Sequence, residues 1–319
     1  MPHISKQDIH PDLRATASLV KHVIHFRKPS QFAHANWVMT HFTKGHFPKD
    51  LDITEAWAVR GNGTKLRLLV ARPKDQLPNA TGVLWLHGGG YATEVPEEDF
   101  GYVRHIQEVA NAVVVLPDYR LSTEAPYPAA LDEAYLALKW LHDNATDLGV
   151  NTNQLFVAGE SAGGGLTAAL SLYARDKGAI KIAFQMPLYP MLDDRPTETS
   201  ADNDAPVWNM EANRVAWQMY LGELSGTDDV PPYAAPARAT TYDKMPPTYT
   251  FIGTIEPFYA ETMAYIKHLQ DAGVNAHVDV YEGAFRGFDL IAAKKPISKR
   301  ATEGWQAAFK DASERYFTE

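Results

Sequence analysis

Gly159-Glu160-Ser161-Ala162-Gly163 is the stretch that decides the fold. It lies between an apolar run that ends at Ala158 and a small-residue pattern, typical of a helix, that begins at Ala162. In a nucleophile elbow, a serine occupies a tight turn between a strand and a helix, and its hydroxyl projects into a cleft. Glycine on both sides permits the strained turn and leaves the helix start free of bulk. The stretch therefore predicts Ser161 as a nucleophile.

Apolar strands and helical patterns alternate on both sides of this stretch. Such alternation predicts an α/β fold with a mostly parallel central sheet and helices on both faces. The predicted strands are Val83–Leu86, Ala112–Leu116, Gln154–Ala158, Lys181–Met186, Thr248–Ile252 and His277–Tyr281. The predicted helices are Phe100–Asn111, Ala129–Asn144, Ala162–Arg175, Glu261–Ala272 and Ser298–Tyr316.

An earlier pair of segments has the period of two that is typical of strands. Asp52–Val59 and Lys65–Ala71 flank the turn signal Gly61-Asn62-Gly63. This pattern predicts a β-hairpin. Its strands are expected to be antiparallel and to lie at one edge of the sheet.

Residues 1–50 are predicted to form a helical cap segment. They hold seven of the twelve histidines, interleaved with aromatic residues, and the spacing of Phe32, His34, Trp37 and His41 suggests one or two helices with an aromatic face. A metal site is the alternative interpretation. Irregular spacing and the lack of an accompanying carboxylate cluster favour surface and core histidines instead.

Residues 190–246 interrupt the strand–helix alternation with proline-rich turns around a predicted helix, Met210–Leu221. Ligands of open α/β sheets bind beyond the carboxyl ends of the strands, and inserted segments tend to cover that face. We therefore expect this insertion to join the N-terminal cap as a lid over the carboxyl ends of the strands. The predicted catalytic domain is 51–319, which includes the insertion.

Composition excludes several classes of function. The chain has 319 residues, no cysteine and 30 basic against 39 acidic residues, a net charge of −9. A cysteine nucleophile and thiolate metal sites are thus excluded, and the acidic balance argues against nucleic acid or an anionic membrane as a partner. No apolar run has the roughly 20 residues that span a bilayer, and the polar N-terminus does not resemble a signal peptide, so we expect a cytoplasmic protein.

A glycine triplet follows the first buried strand, in His87-Gly88-Gly89-Gly90-Tyr91. Consecutive glycines let backbone N–H groups approach an anion closely. The N–H of Ala162, at a helix N-terminus, is directed at the same region if the elbow forms. Together these groups predict an oxyanion hole.

These strings, in this order, resemble the hormone-sensitive lipase family of α/β-hydrolases over nearly the whole chain. The resemblance implies a carboxylesterase for small, usually short-chain esters that needs no metal or organic cofactor, and it implies a possible homodimer through the edge strand 278–281. It assigns Ser161 as nucleophile, Gly89, Gly90 and Ala162 as oxyanion donors, and His87 as a loop-orienting residue. The other motifs that support the resemblance are Asp118-Tyr119-Arg120-Leu121, Pro126-Tyr127-Pro128-Ala129-Ala130, Tyr233-Ala234-Ala235-Pro236 and Gly253-Thr254-Ile255-Glu256-Pro257-Phe258.

The resemblance also implies a catalytic triad of serine, histidine and an acid, and it assigns the acid to Glu256. Many relatives carry Asp-Pro at this position. Either carboxylate can orient an imidazole, so the departure is small. Glu261 is interpreted as a structural carboxylate. The substrate pocket is expected to include four aromatic residues: Trp37, Tyr91, Trp208 and Trp217.

Arg286 stands where the family has the catalytic histidine, in Gly283-Ala284-Phe285-Arg286-Gly287-Phe288. A guanidinium has no acceptor and a pKa above about 12, so it cannot take the serine proton near neutral pH. Arg286 is either an introduced substitution or a natural feature of a degenerate relative, unless another histidine, such as His268 or His277, supplies the base. Its side chain is expected to pair with Glu256 or, alternatively, to point to solvent.

Three functions remain open at this level. The first is a serine carboxylesterase impaired by Arg286. The second is a non-catalytic relative that uses the esterase pocket to bind a ligand. The third is an acyl-transferring or peptide-cleaving hydrolase on the same scaffold.

Overall fold

Strand β5 (Val150–Glu160) lies at the centre of an eight-stranded sheet and is buried along its last seven residues. The computed structural model describes residues 3–23 and 26–318. Within them the strands follow the order β1-β2-β4-β3-β5-β6-β7-β8. The other strands are β1 (Asp52–Val59), β2 (Lys65–Arg72), β3 (Ala80–Leu86), β4 (Ala112–Pro117), β6 (Phe184–Leu188), β7 (Thr248–Gly253) and β8 (Ala276–Tyr281).

The sheet is parallel except at one side. β1 and β2 form the predicted antiparallel hairpin, and β2 pairs antiparallel with β4, whereas the remaining neighbours run parallel. The predicted fold class and edge hairpin are therefore confirmed. β8 occupies the opposite edge, and dimerisation through it remains a prediction.

Ten α-helices surround the sheet in the described part of the chain, and none of them combines the length and apolarity needed to cross a bilayer. The ring of Phe156 in β5 lies 5.7 Å from that of Phe309 in the C-terminal helix, whereas Gly159 faces the first turn of the helix that begins at Ala162. Side chains alternate along a strand, so these two helices cover opposite faces. The helices are α1 (Arg14–Val23), α2 (Pro29–Phe42), α3 (Phe100–Val109), α4 (Ala129–Asp143), α5 (Ala145–Leu148), α6 (Ala162–Lys177), α7 (Met210–Leu221), α8 (Tyr259–Asp271), α9 (Phe288–Ile291) and α10 (Pro296–Arg315).

Strand β6 begins and ends later than its predicted bounds. The expectation was 181–186, but the strand begins at Phe184 and runs through Pro187 to Leu188. Proline normally marks a strand end because it lacks an N–H donor. Parallel pairing with β5 nevertheless continues through Pro187, opposite Gly159, to Leu188, opposite Glu160. The strand therefore extends to the residues beside the elbow.

The N-terminal segment packs on the insertion, as expected for a cap. The ring of Phe32 in α2 lies 4.5 Å from that of Phe26 and 6.1 Å from that of Trp208, just before α7. The expectation of one aromatic face on α2 is wrong, however. Phe32 is fully buried, whereas Trp37 is 53% exposed and stacks between His34 and His41.

The start of α6 lies so close to β3 that only glycine fits there. A Cβ atom built on Gly163 falls 1.9 Å from the carbonyl oxygen of Leu86, and one on Gly159 falls 2.4 Å from the same atom. Both contacts are with backbone, which cannot rotate away. The two glycines of the elbow are therefore required by the packing of helix on sheet.

Replacing Gly163 by alanine is expected to lower the free energy of unfolding by at least about 2 kcal/mol, because the methyl group forces α6 away from β3. Gly101→Ala is the matched control, since nothing lies within 4 Å of its Cβ position in α3. It is expected to raise stability by up to about 1 kcal/mol. Urea unfolding of both variants measures the difference, and equal effects would contradict the packing argument.

Candidate active site

Ser161 occupies the predicted turn between β5 and α6. Its φ of +64° and ψ of −123° lie in a region that residues other than glycine rarely adopt. Its N–H donates to the carbonyl of Leu188 at 3.0 Å, and its carbonyl accepts from the N–H groups of Gly165 and Met191, each at 3.0 Å. These three bonds hold the strained backbone in place, and the residue is 7% exposed.

The glycine loop runs from the end of β3 alongside this turn. Gly89 and Gly90 have φ of +79° and +61°, and the carbonyl of Gly89 accepts from the N–H groups of Ala92 and Thr93 at 3.0 and 3.1 Å. None of the hydrogen bonds described for residues 3–23 and 26–318 uses the N–H of Gly89, Gly90 or Ala162. An oxyanion hole formed by these three N–H groups remains a prediction.

His87 packs beneath the glycine loop. Its ring is buried and lies 4.2 Å from the ring of Tyr119, whose hydroxyl donates to the His87 carbonyl at 2.7 Å. Burial lowers the pKa of His87 to about 4, so the imidazole is neutral near pH 7. These contacts fit the loop-orienting role expected for this residue.

Glu256 and Arg286 form the ion pair that the sequence predicted. Nη1 of Arg286 lies 3.3 Å from Oε2 of Glu256 and donates to the carbonyl of Tyr189 at 3.1 Å. The guanidinium carbon also lies 4.4 Å from the ring centre of Phe258. Arg286 is 4% exposed, so the alternative in which it points to solvent is wrong.

Glu256 is fully buried, and its Oε1 accepts the N–H of Gly253 at 3.0 Å. Burial raises the pKa of Glu256 to about 7, although Arg286 partly opposes this shift. A raised pKa is expected for a carboxylate that has been taken out of water with one partner. Its hydrogen bond to Gly253 thereby holds Glu256 in place beside the group at position 286.

The histidines proposed as substitute bases have partners elsewhere. His277 pairs with Asp279 at 2.9 Å, and His268 stacks on Tyr242 at 5.3 Å. Among the described side chains, no imidazole forms a hydrogen bond with Ser161. His25 and the side chain of His22 lie outside the described residues. The described residues contain no cluster of three or more His, Asp or Glu suited to a metal ion.

Two carboxylates that sequence reasoning missed lie beside the nucleophile. Glu160 accepts from the N–H of Gly88 and is hydrogen-bonded to Glu94, a residue with φ of +77°. Burial raises the pKa of Glu160 to about 7, with Arg286 opposing the shift, and burial likewise raises that of Glu94. Glu160 is part of the pentapeptide and could have been noticed in the sequence. Its contact with Glu94 arises only from the fold.

Three of the four predicted pocket residues surround the glycine loop. The ring of Tyr91 lies 6.0 Å from that of Trp217, and Trp208 contacts Gly90 so closely that a Cβ there would fall 2.3 Å from it. Trp37 is not part of this group, because its contacts are with the imidazoles on the outer surface of α2. Trp208 and Trp217 are 5% and 3% exposed, so both rings are buried.

Glu261 has the structural role expected of it. The side chain is buried, and its Oε1 accepts the N–H groups of Leu192 and Asp193 at 2.7 and 3.3 Å. It thus anchors the chain that leaves β6.

The fold and this site define an α/β hydrolase. A family model described as the alpha/beta hydrolase fold matches residues 83–290, which is more than half of the chain and includes Ser161, Glu256 and Arg286. The chain belongs to this family.

Relatives in the family are named as esterases. The chain is 33% identical over 222 residues to "Esterase LipI" of Mycobacterium tuberculosis, with 69% of each protein covered, and 33% identical over 245 residues to "Carboxylesterase NlhH" of the same species, with 75% of each covered. Among solved structures, "Bacterial Heroin Esterase" superposes with a TM-score of 0.87 at 28% identity, covering 97% of this chain and 99% of that one. An esterase of the archaeon Pyrobaculum calidifontis has a TM-score of 0.81 at 26% identity and covers 95% and 98%.

The raised pKa values predict how stability depends on pH. Folded protein holds protons on Glu160 and Glu256 up to about pH 7, whereas the unfolded chain releases them near 4.5. Their contribution to stability is therefore complete below about pH 4.5 and is lost as the pH rises through about 7, at about 1.4 kcal/mol per pKa unit. The loss between pH 5 and pH 8 should be smaller in Glu160→Gln.

Urea unfolding across that range measures the effect in the unsubstituted protein and the variant. Glu314→Gln is the control, because Glu314 is an exposed carboxylate on α10. A Glu160→Gln variant with the same pH slope as the control would contradict the assignment.

Proposed function

We propose that the protein hydrolyses carboxylic esters of small molecules through an acyl-enzyme on Ser161, slowly because Arg286 stands in place of the general base. The strained backbone of Ser161, at φ +64° between β5 and α6, is the observation that carries this proposal. Such strain is retained where the surrounding structure enforces it, and it commonly marks a functional residue. The names of the relatives and similar structures support an ester as the substrate.

In the proposed mechanism, the Ser161 oxygen attacks the ester carbonyl, and a bond from Oγ to carbon forms while the carbonyl π bond opens. The N–H groups of Gly89, Gly90 and Ala162 stabilise the resulting oxyanion. The intermediate then expels the alcohol, which takes up a proton, and water releases the acid from Ser161 in a second addition. With Arg286 in place of the base, the seryl proton passes to a water molecule in the first step, and water supplies the proton that the alcohol takes up in the next.

Arg286 cannot perform that proton transfer. Its Nη1 is already committed to Glu256 and to the carbonyl of Tyr189, and a guanidinium has no lone pair to accept a proton. What remains is positioning and oxyanion stabilisation, which by themselves keep roughly 10³- to 10⁴-fold acceleration over water in serine hydrolases that have lost a triad member. The chain with Arg286 is thus a slow esterase with an intact binding site.

We propose further that residues 1–50 and 190–246 form a cap that controls access. Trp208 lies over Gly90 and against Phe32 of α2, and Ser161 is only 7% exposed. An ester must therefore pass beneath the cap before it reaches the hydroxyl. The side chains closest to that path are expected to decide acyl-chain length.

Arg286→His is expected to raise kcat/KM for a short p-nitrophenyl ester by at least on the order of 10³-fold, because an imidazole there can accept the seryl proton while Glu256 orients it. Steady-state hydrolysis of p-nitrophenyl acetate and butyrate measures the gain. Adding Glu256→Gln to the Arg286→His variant should remove much of it, because the amide does not stabilise an imidazolium.

Ser161→Ala in the same background is the matched control and should abolish the added activity. A well-folded Arg286→His protein with no gain would overturn the proposal that position 286 limits turnover. Equal activity of the Ser161→Ala variant would exclude an acyl-enzyme on this serine.

Trp208→Ala, in the Arg286→His background, is expected to shift the preference toward longer acyl chains, because it removes the ring that covers Gly90. The ratio of kcat/KM for p-nitrophenyl octanoate to that for the acetate measures the shift. Truncation of this buried ring is also expected to cost about 3 kcal/mol of stability. Trp37→Ala is the control, and an equal change in the ratio there would contradict the placement of Trp208 in the cap.

A further inference from the structure

The carboxyl group of Glu160 lies against the start of the glycine loop. A Cβ atom built on Gly88 falls 1.8 Å from Oε1 of Glu160 and 2.8 Å from Oε2, so the carboxyl group is in direct contact with the loop backbone. Glu160 also accepts the N–H of Gly88. Since Glu160 directly precedes Ser161, its side chain connects the loop to the predicted nucleophile.

Glu94 connects the other end of the same loop to Glu160. The two carboxyl groups are hydrogen-bonded to each other. A Cβ atom built on Gly89 falls 2.2 Å from the carbonyl oxygen of Thr93 and 3.1 Å from Cβ of Glu94, so the loop folds back on itself. The φ of Glu94 is +77°, a left-handed value that is uncommon outside glycine. Backbone strain of this kind persists where the surrounding structure enforces it, and it is often found at functional sites.

The hydrogen bond between these carboxyl groups needs a proton on one of them, because an ionised carboxylate can only accept. Burial is the largest cause of the raised pKa of both groups, and the hydrogen bond adds to the rise for Glu94 and opposes it for Glu160. Glu94 is therefore the donor. Glu160 is 6% exposed, whereas Glu94 is partly exposed and lines a cavity of about 380 Å³, so the pair meets solvent on the Glu94 side.

The charges around the pair disfavour a second negative charge on it. Arg286 is the cation that opposes the rise in the pKa of Glu160, after burial has raised it. The other ionisable groups that face the pair in the described part of the chain are acids or phenols: Glu98, Asp99, Asp289, Tyr102, Tyr119 and Tyr189. The cavity adds the carboxylates of Asp118 and Glu124, and of its cations Lys44, Arg60, Arg67 and Arg120 pair with carboxylates other than Glu94, whereas Lys65 is exposed. Loss of the last proton therefore leaves two carboxylates side by side in unfavourable surroundings.

We propose that Glu160 and Glu94 are positioning residues for the ester hydrolysis proposed above: their hydrogen bond holds the glycine loop against Ser161 and is lost when both carboxyl groups ionise. The proposal rests on that function, because the loop affects turnover only if its N–H groups stabilise an oxyanion. Repulsion between the two carboxylates then displaces the loop, so kcat falls as the pH rises through the loss of the last shared proton. The KM for the ester changes little, because the loop donors act chiefly on the transition state.

The pH profile of kcat tests the proposal in the Arg286→His background, with p-nitrophenyl butyrate as the substrate. Glu94→Ala removes the hydrogen bond at every pH and should lower kcat at least about tenfold with KM nearly unchanged. Glu94→Gln should restore most of that loss, because its amide N–H donates to Glu160, and it should lack the alkaline fall in kcat because the amide has no proton to lose. The matched control is Glu124→Gln, which should keep the fall, since Glu124 is an exposed carboxylate that lines the same cavity.

Three kinetic results would count against the pair. A kcat of the Arg286→His protein that has not begun to fall by about pH 9, where buried glutamic acids ionise, would contradict the role of the shared proton. The same fall in Glu94→Gln would contradict it as well. Equal kcat values with and without Glu94→Ala would refute positioning. Failure of the Arg286→His protein to hydrolyse the ester through Ser161 would instead be a failure of the proposed function.

The backbone N–H signal of Gly88 in a ¹H–¹⁵N spectrum tests the pair without catalysis, in the chain with Arg286. The signal should shift in two steps as the pH rises, because Glu160 and then Glu94 loses a proton, and Glu94→Gln should leave one step. A single step in the unsubstituted chain, or two unchanged steps in Glu94→Gln, would overturn the proposal even if no variant hydrolyses an ester. Thermal melting shows whether Glu94→Gln is folded, and if it is not, the Gly88 signal of the unsubstituted chain decides.

Discussion

The close approach of the first turn of α6 to the carbonyl of Leu86 is the constraint on which the site depends. Because Gly159 and Gly163 carry no side chain, β3, β5 and α6 meet within backbone contact distance. That contact places the glycine loop, which leaves β3, beside Ser161, which leaves β5. Any larger residue would separate the proposed oxyanion donors from the proposed nucleophile.

A second constraint is the balance of charge beneath that contact. Glu160, Glu256 and Asp289 are buried together, and Arg286 opposes the rise in pKa of the first two. An ion pair in such surroundings gives little net stability, but removal of one partner leaves an uncompensated charge. The arginine is thus compatible with the folded chain at a position where it is incompatible with proton transfer. A histidine at position 286 could both compensate the buried carboxylates and transfer the seryl proton. Arginine can do only the first.

Much of the fold could be predicted from sequence because its signals are local. Apolar runs, glycine turns and the period of two identified the strands, and the helix Met210–Leu221 was predicted at its observed bounds. The end of β6 was misplaced because a proline is taken as the end of a strand, whereas pairing with β5 continues through Pro187 to Leu188. The partner strand lies on the other side of α6 in the chain, and no local pattern contains it.

Part of the site could likewise be predicted from the sequence, and part depends on contacts between distant residues. Ser161, the glycine loop and the substitution at Arg286 are visible as strings, and the ion pair with Glu256 followed from the chemistry of opposite charges. Glu94 was missed because it contacts Glu160 from a backbone with φ of +77°, a conformation that a glutamate in a sequence does not predict. Trp37 was grouped with the pocket because helical spacing alone does not say which side of α2 faces the core.

The position of Trp208 against Gly90 has a consequence for ester affinity. If the hydroxyl of Ser161 is reached only when the cap moves, the observed affinity for an ester equals the intrinsic affinity reduced by the fraction of molecules that are open. A closed state favoured by about 1.4 kcal/mol would weaken apparent binding about tenfold without altering a single contact to the ester. The ring contacts among Phe26, Phe32 and Trp208 would then set the fraction of open molecules. That fraction would in turn set the ester concentration needed for half-saturation.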